Sequence, residues 1–220
     1  MTETPQRERL WALAHAERAS LAADLAGLSA DEWAVRSLCG EWTVEEVVAH
    51  LTAGASIGRF RWLASVLRAR FDFDLHNARQ MAVHRGATPA ETLDRFRAVV
   101  DTSTGASGHT AAWLGEVVVH AQDIRRPLGV TTTPSIEAAT AVAEFFASRD
   151  FTVASRSAIE GLRIEATDGP FATGTGPLVS GPTVALVMAM AARSTYCADL
   201  TGPGLPTLRA RISDKEPRPA

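Results

Sequence analysis

The sequence predicts a mainly α-helical protein in which a bundle of helices is followed by a small α+β domain. Apolar residues recur at helical spacing through the first two thirds of the chain, and short alternating segments separated by Gly and Pro begin near Ser155. The 220 residues, 46% of them hydrophobic, allow one large domain or two small ones. We expect the bundle at residues 1–152, the α+β domain at 153–213 and a polar tail at 214–220.

Two capping boxes, the pattern Ser/Thr-x-x-Glu at a helix start, organise the N-terminal part. The first begins at Ser29 and follows a helix expected over residues 6–28, where leucines recur on one face. The second begins at Thr43 and opens a long helix that carries His50 and is expected to end before Phe71.

Four more helices are expected in the middle of the chain. Thr88-Pro89 combines an N-cap residue with a first-turn proline, so a helix of about fourteen residues begins there. Pro127 and Gly129 end the helix that precedes them. The four helices are expected at residues 74–85, from Pro89 onward, at residues 111–124, and from Thr133-Pro134 through Phe146.

The C-terminal part has a different pattern. Residues 161–167 alternate apolar and polar side chains, which is typical of a strand with one buried face. A segment rich in Gly and Pro then leads to an apolar helix from Thr183 to Arg193. Residues 205–212 alternate again and are expected to form another strand. The pattern therefore indicates a small α+β unit.

Composition excludes several classes of function. The net charge is −3 and the pI is about 6.1, which gives no electrostatic basis for binding nucleic acid. The longest apolar run, Val184–Ala192, is less than half of a membrane span, so no membrane insertion is expected. The only lysine, Lys215, lies in the polar tail, which excludes a Schiff-base lysine and a P-loop.

The termini and cysteines indicate the compartment. The first residues are polar and contain no signal-peptide core. Cys39 and Cys197 form no CxxC pair and are expected to be reduced thiols. We therefore expect a cytoplasmic protein.

Three residues predict a metal site. Glu116 and His120 are four residues apart in an apolar helix, so they share one face, and His50 lies within a second apolar helix. Two histidines and one carboxylate, with a fourth position open, are the usual ligands of a catalytic zinc ion. The alternative is a surface ion pair within one helix, but three consecutive valines between Glu116 and His120 indicate a buried helix, where such groups need partners.

Neighbouring residues leave several roles open. Asp123 lies three residues after His120, where it would orient that imidazole, bridge Arg125 or Arg126, or cap the turn at Pro127. Cys39, in the loop before the His50 helix, is expected to be a buried inert thiol, with an extra metal ligand or a redox group as the alternatives. The remaining histidines have no partner at metal-ligand spacing, although His84 and Arg85 could line a pocket mouth.

Two segments resemble one known family. Leu28 to Leu51 contains Glu32-Trp33, Cys39-Gly40-Glu41-Trp42-Thr43-Val44 and His50-Leu51, and Gly115 to Gly129 contains Glu116, His120 and Arg125-Arg126-Pro127. This pattern is similar to that of the DinB-like, mycothiol-dependent maleylpyruvate isomerases. Residues 161–211 are similar, more loosely, to the small C-terminal domain of that family.

The resemblance implies a fold, a chemistry and further site residues. The fold would be a DinB-like four-helix bundle followed by a small α/β domain. The ligands of a divalent metal, zinc above all, would be His50, Glu116 and His120, and mycothiol would be the thiol cosubstrate. Arg193, at the position after the apolar C-terminal helix, would anchor an anionic substrate; the family commonly has Gly-Arg there, whereas this chain has Ala192-Arg193.

The expected activity follows from metal-bound thiol chemistry. A thiolate would add to the conjugated double bond of an unsaturated diacid, allow rotation and leave again, which is cis–trans isomerisation; a transferase would keep the thiol on an electrophilic substrate. One alternative is a hydrolase or lyase in which the metal activates water without a thiol. Another is a non-catalytic binding or stress-response module whose bundle is stabilised by a structural metal, with the coordination completed by a residue such as Cys39.

Overall fold

The computed structural model describes residues 3–58, 73–105 and 108–213. These residues divide into two compact units, Met1–Thr132 and Thr133–Ala220. The first unit contains helices α1 (Glu3–Leu25), α2 (Ala30–Trp33), α3 (Val44–Ser56), α4 (Phe73–His84), α5 (Pro89–Arg97) and α6 (Thr110–Arg125).

The first unit is a helical bundle built around α3. Helix α3 packs on α4, α5 and α6, and α1 packs on α5 and α6. The faces of α1, α3, α5 and α6 that meet are apolar, because these helices carry buried residues at helical spacing. The core they form contains Leu21, Leu25, Trp33, Val44, Val47, Val48, Leu51, Leu93, Phe96, Val117, Ala121 and Ile124, among others.

The helix starts agree with the sequence. Both predicted capping boxes form: Ser29 with Glu32, and Thr43 with Glu46. Helix α3 is shorter than expected, since it ends at Ser56 and the next residue, Ile57, is extended. The rest of that prediction falls on residues 59–72, outside the described part of the chain.

The buried carboxylate of Glu45 links α3 to α5 and to the residue that follows α4. Glu45, in the first turn of α3, accepts hydrogen bonds from Arg85 Nε at 2.7 Å and from Thr92 Oγ1 at 2.9 Å. Arg85 follows α4 directly, and Thr92 lies in α5. Because an unpaired buried carboxylate would be costly, these bonds fix the orientation of α3 between its neighbours.

The second unit combines helices with a three-stranded sheet. Its order along the chain is α7 (Ile136–Ser148), α8 (Ser155–Ala158), β1 (Arg163–Ala166), β2 (Ala172–Thr173), β3 (Leu178–Gly181), α9 (Thr183–Met190), a 3-10 helix (Ser194–Asp199) and α10 (Leu205–Ser213). Strand β1 is central, antiparallel to β2 and parallel to β3. Helix α9 is buried almost throughout and packs on α7.

One detail of the C-terminal part differs from the sequence prediction. Residues 205–212 form a helix, not a strand: the buried residues Leu205, Leu208 and Ile212 are three and four apart, which is a helical period. The chain divides into its two compact units after Thr132, and α7 packs against α9 in the second of them; the expected domain boundary at residue 152 stays a prediction. The predicted fold class, a helical bundle followed by a small α+β unit, is confirmed.

None of the helices in the described ranges is both long and apolar enough to cross a lipid bilayer.

Candidate metal centre

The three predicted donors lie together in the first unit. His50 projects from α3, and Glu116 and His120 project from α6. His50 Nε2 is 3.2 Å from Glu116 Oε1, and the rings of His50 and His120 are 5.1 Å apart at an interplanar angle of 81°. Their side chains are 19%, 24% and 13% exposed, in chain order, so the group is largely shielded from solvent. We call these three residues the candidate metal centre.

Packing of α3 against α6 produces this convergence. The residues around His50 are core residues, and Val117, Val118 and Val119 between the two α6 donors are also buried. Gly54, one turn after His50, leaves room for the carboxylate, because a Cβ atom there would lie 3.0 Å from Glu116 Oε1. The two helices can therefore approach closely at the donors.

Asp123 holds the imidazole of His120. His120 Nδ1 donates a hydrogen bond to Asp123 Oδ2 at 3.0 Å, and Asp123 is completely buried. A neutral imidazole that donates through Nδ1 presents an unprotonated Nε2 on its other side. Among the roles that the sequence left open for Asp123, this contact agrees with an acceptor that orients His120, and a place beside a bound metal stays a prediction.

The loop before α3 contributes two further contacts. Trp42 packs against His50 with ring centroids 5.0 Å apart. Cys39 Sγ lies within 4.8 Å of a ring nitrogen of His120. The loop is tied to α6 because the Leu38 amide donates to the Asp123 carbonyl at 3.0 Å. Each candidate histidine ligand therefore has a neighbour from this loop.

The donors strongly affect one another's protonation. Burial by itself would raise the pKa of Glu116, but the hydrogen bond from His50 and the charges of His50, His120 and Arg18 hold that pKa below its usual value. Burial by itself would lower the pKa of His120, but its hydrogen bonds to Asp123 and Cys39 raise that pKa to about 10. Without a metal, the site therefore holds a carboxylate and a protonated His120.

Arg18 adds a buried positive charge near Glu116. It lies on α1, is 2% exposed, and donates to the carbonyl of Thr102 at 2.8 Å. Its electrostatic interaction with Glu116 favours the ionised carboxylate. Nothing in the sequence pattern around Arg18 predicts this placement.

The other residues singled out by sequence lie in different settings. Arg85 forms an ion pair with Glu45 at 2.6 Å, and burial, together with the charge of Arg95, lowers the pKa of His84. Arg193 belongs to the second unit, follows Ala192 in a left-handed conformation (φ 64°), and donates to the carbonyl of Ala191 at 2.8 Å. The substrate-anchoring role of Arg193 stays a prediction.

Two separations within the candidate metal centre are compatible with ligands of one zinc ion. With bonds of about 2.0–2.1 Å and tetrahedral angles, two donor atoms on one zinc are about 3.3 Å apart, and two ligating imidazole rings have centroids about 5 Å apart. The separations of 3.2 Å between His50 Nε2 and Glu116 Oε1 and of 5.1 Å between the rings are close to both values. Three protein donors leave one position for an exogenous ligand.

Part of the first unit matches a known protein family. Residues 14–111 match the mycothiol maleylpyruvate isomerase N-terminal domain. The expected resemblance is therefore confirmed over this segment, which includes His50 and ends before Glu116. No curated protein matches the sequence.

Two solved structures are similar over most of the chain. They are the crystal structure of the mycothiol-dependent maleylpyruvate isomerase, with a TM-score of 0.58, and that of a histidine-to-alanine mutant of it, with a TM-score of 0.57. Each has 17% sequence identity to this chain, with 90% of this chain and 92% of the other covered. At this identity the similarity establishes the fold, which is a DinB-like bundle with a small C-terminal α+β unit.

Sequence reasoning missed part of the site. Trp42 belongs to the family-like motif Cys39–Val44, but that motif does not predict its contact with His50. The role of Gly54 had one sequence signal, a glycine inside a helix four residues after His50. Cys39, expected to be a buried inert thiol with a metal ligand or a redox group as the alternatives, lies with its Sγ within 4.8 Å of a ring nitrogen of His120. The pairing of a loop residue with a helix residue depends on the fold and leaves no trace in local spacing.

Proposed function

We propose that this protein is a metal-dependent enzyme that activates a low-molecular-weight thiol, mycothiol. The reaction would be maleylpyruvate-type cis–trans isomerisation of an unsaturated diacid or transfer of the thiol to an electrophile. The observation that supports the proposal most directly is that His50 Nε2 lies 3.2 Å from Glu116 Oε1 and that the His50 and His120 rings are 5.1 Å apart, separations compatible with shared zinc ligation.

A divalent metal bound by these residues would deprotonate a coordinating thiol. Two neutral imidazoles and one carboxylate give such a site a formal charge of +1. A thiolate brings the charge to zero, which keeps the cost of burial low. The chain itself then needs no nucleophilic cysteine, since the thiol comes from the cosubstrate.

The residues of the chain hold and shield the site. Asp123 orients His120 through the 3.0 Å hydrogen bond, and Trp42 packs against His50 in a tilted arrangement. Arg18 favours the ionised form of Glu116. Arg193 is proposed, from the family resemblance, to bind a carboxylate of an anionic substrate.

The comparisons support the thiol half of the proposal. The matching domain is the N-terminal domain of mycothiol maleylpyruvate isomerase, and both similar structures are of a mycothiol-dependent isomerase. The choice between isomerase and transferase depends on the shape of the substrate pocket. A cytoplasmic location stays a prediction of the sequence.

The decisive experiment is isothermal titration of mycothiol into the zinc-loaded and chelator-treated protein. We expect binding only to the zinc-loaded form, and loss of binding in His120→Ala. His15→Ala is the matched control, because His15 bonds to the carbonyl of Thr102 and lies outside the donor set. Equal thiol binding with and without metal would refute the proposal.

Activity assays separate the alternatives. Turnover of a cis-unsaturated diacid that requires both zinc and thiol supports the isomerase. Metal-dependent turnover without thiol would instead indicate a hydrolase or lyase. Tight zinc binding, with neither thiol binding nor thiol-dependent turnover, would indicate a structural metal that only stabilises the bundle.

A further inference from the structure

A second set of possible metal donors lies beside the first. Cys39 Sγ, a nitrogen of His120 and a carboxylate oxygen of Asp123 all lie within 4.8 Å of one another. Only His120 belongs to both sets. Thiolate, imidazole and carboxylate are all common ligands of zinc and of related ions.

The backbone fixes this second set. The Leu38 amide donates to the Asp123 carbonyl at 3.0 Å, and the Cys39 amide donates to Ser37 Oγ at 3.0 Å. Ser37 Oγ in turn donates to the Trp42 carbonyl at 2.8 Å. The thiol is therefore positioned by hydrogen bonds of its own loop and by a direct tie to the helix that carries the other two donors.

The two sets lie on different sides of His120. Asp123 occupies the Nδ1 side. The two nitrogens of an imidazole point nearly opposite ways, so a sulfur hydrogen-bonded at Nε2 would be roughly 6 Å or more from the Asp123 carboxylate, given bonds of about 3 Å. The observed limit of 4.8 Å places Cys39 on the Nδ1 side, away from the side that the candidate metal centre would use.

The charges and donor types favour a different ion at the second set. A thiolate, a carboxylate and one neutral imidazole together neutralise the charge of a divalent cation without any added ligand. A neutral site costs little to bury, which is compatible with the complete burial of Asp123. Sulfur donors favour softer ions. Donor atoms on one tetrahedral ion are about 3.3–3.8 Å apart, so side-chain shifts of about 1 Å would complete the site.

We propose that Cys39, His120 and Asp123 form a second metal site, for soft divalent cations, that competes with the candidate metal centre for His120. The two sites then exclude each other, because a neutral imidazole has one unprotonated nitrogen and the two sites require different nitrogens of His120. A soft ion captured there would remove His120 from the first site. The inference goes beyond the proposed function and depends on it only for that consequence.

The test is titration of full-length, chelator-treated protein with Cd²⁺ alone, followed by its sulfur-to-cadmium charge-transfer absorption. We expect the band to saturate at one Cd²⁺ per chain and to disappear in Cys39→Ser and Cys39→Ala. The band should persist in His50→Ala, and in Cys197→Ser, the matched control for the other cysteine. Circular dichroism establishes that each variant is folded.

Competition with zinc completes the experiment. Zinc bound first should raise the Cd²⁺ midpoint by at least tenfold in the wild type, and total metal should stay at one per chain. A band that is absent from the wild type, or that survives in both Cys39 variants, overturns the proposal. So does loss of the band in His50→Ala, which would make Cys39 a ligand of the first site, or binding of two metals at once.

The outcomes also separate this inference from the proposed function. A Cys39-dependent band in a protein that binds no zinc through His50 would support the second site and refute the thiol-activating enzyme. Thiol binding that requires zinc, with no Cys39-dependent band, would support the thiol-activating enzyme and refute the second metal site.

Discussion

Asp123 shows how one buried carboxylate can decide whether a histidine is available to a metal. It is fully buried, and its contact with His120 Nδ1 leaves Nε2 as the nitrogen that a metal would use. Groups that orient a metal-ligating histidine in this way typically change metal affinity by 10–100-fold when replaced.

We predict that Asp123→Asn weakens zinc binding by about 10–100-fold, because the amide loses the charge that fixes and polarises His120. Competition with a chromophoric chelator measures the affinity. Asp150→Asn is the control, since Asp150 is an exposed carboxylate of the second unit that bonds to Ser157. Equal affinities in the wild type and Asp123→Asn would contradict the assigned contact.

The protonation of His120 gives a pH dependence. Its pKa is raised to about 10 in the metal-free protein, so a metal must displace one proton at neutral pH. We expect zinc affinity to rise roughly tenfold per pH unit from neutral pH to about 10 and to flatten above it. Calorimetry in buffers of different ionisation enthalpy should show release of one proton per zinc at pH 8.

The same shift affects the metal-free protein with the opposite sign. A histidine with a raised pKa contributes stability that is complete below about pH 6.5 and is lost as the pH rises through about 10. Urea unfolding of the chelated protein should therefore show falling stability over this range. Buffer-independent heats of zinc binding, or a flat stability profile, would contradict a protonated His120.

At the scale of elements, the site depends on how closely α3 approaches α6. Gly54 sits where a side chain would meet the Glu116 carboxylate. Glycine is unfavourable inside a helix by about 1 kcal/mol relative to alanine, so its presence has a local cost that close packing offsets.

We predict that Gly54→Ala leaves the stability of the metal-free protein unchanged or raises it by up to about 1 kcal/mol, yet weakens zinc binding. The new Cβ would lie 3.0 Å from Glu116 Oε1 and displace the carboxylate by a few tenths of an ångström. Gly27→Ala is the control, as a Cβ there meets nothing within 4 Å. If zinc affinity is unaffected, Gly54 has no role in placing Glu116.

Local signals predicted the elements well where they act within one segment. The capping boxes at Ser29 and Thr43 formed, since each needs only residues three apart. The spacing of Glu116 and His120 brought two donors to one face for the same reason. At Leu205 the same method was wrong, because a short apolar pattern fits both a strand and a helix and packing decided between them.

The parts that could not be predicted are contacts between segments distant in sequence. Cys39 meets His120 across 81 positions of chain, and Arg18 acts on Glu116 across 98. Neither spacing has a local signature. The meeting of His50 with the α6 donors could be anticipated only because their residue types together suggested one metal.

At the scale of the whole molecule, the donors and the proposed substrate anchor belong to different units. His50, Glu116 and His120 lie in Met1–Thr132, whereas Arg193 lies in Thr133–Ala220. Metal affinity and affinity for an anionic substrate should therefore respond to different substitutions.

We predict that Arg193→Ala leaves zinc affinity unchanged and raises KM for a diacid substrate by roughly tenfold or more, the value of a lost charge-assisted hydrogen bond. Steady-state kinetics of the zinc-loaded protein measures this. Arg163→Ala, which removes an exposed arginine from β1 of the same unit, is the control. An unchanged KM in Arg193→Ala would exclude the anchoring role.

The division at Thr132 also bears on how such a protein can diverge. The proposed ligands His50, Glu116 and His120, together with Asp123, all precede that point. Mutations that accumulate after it can reshape what is recognised while descendants inherit the cation-binding chemistry intact.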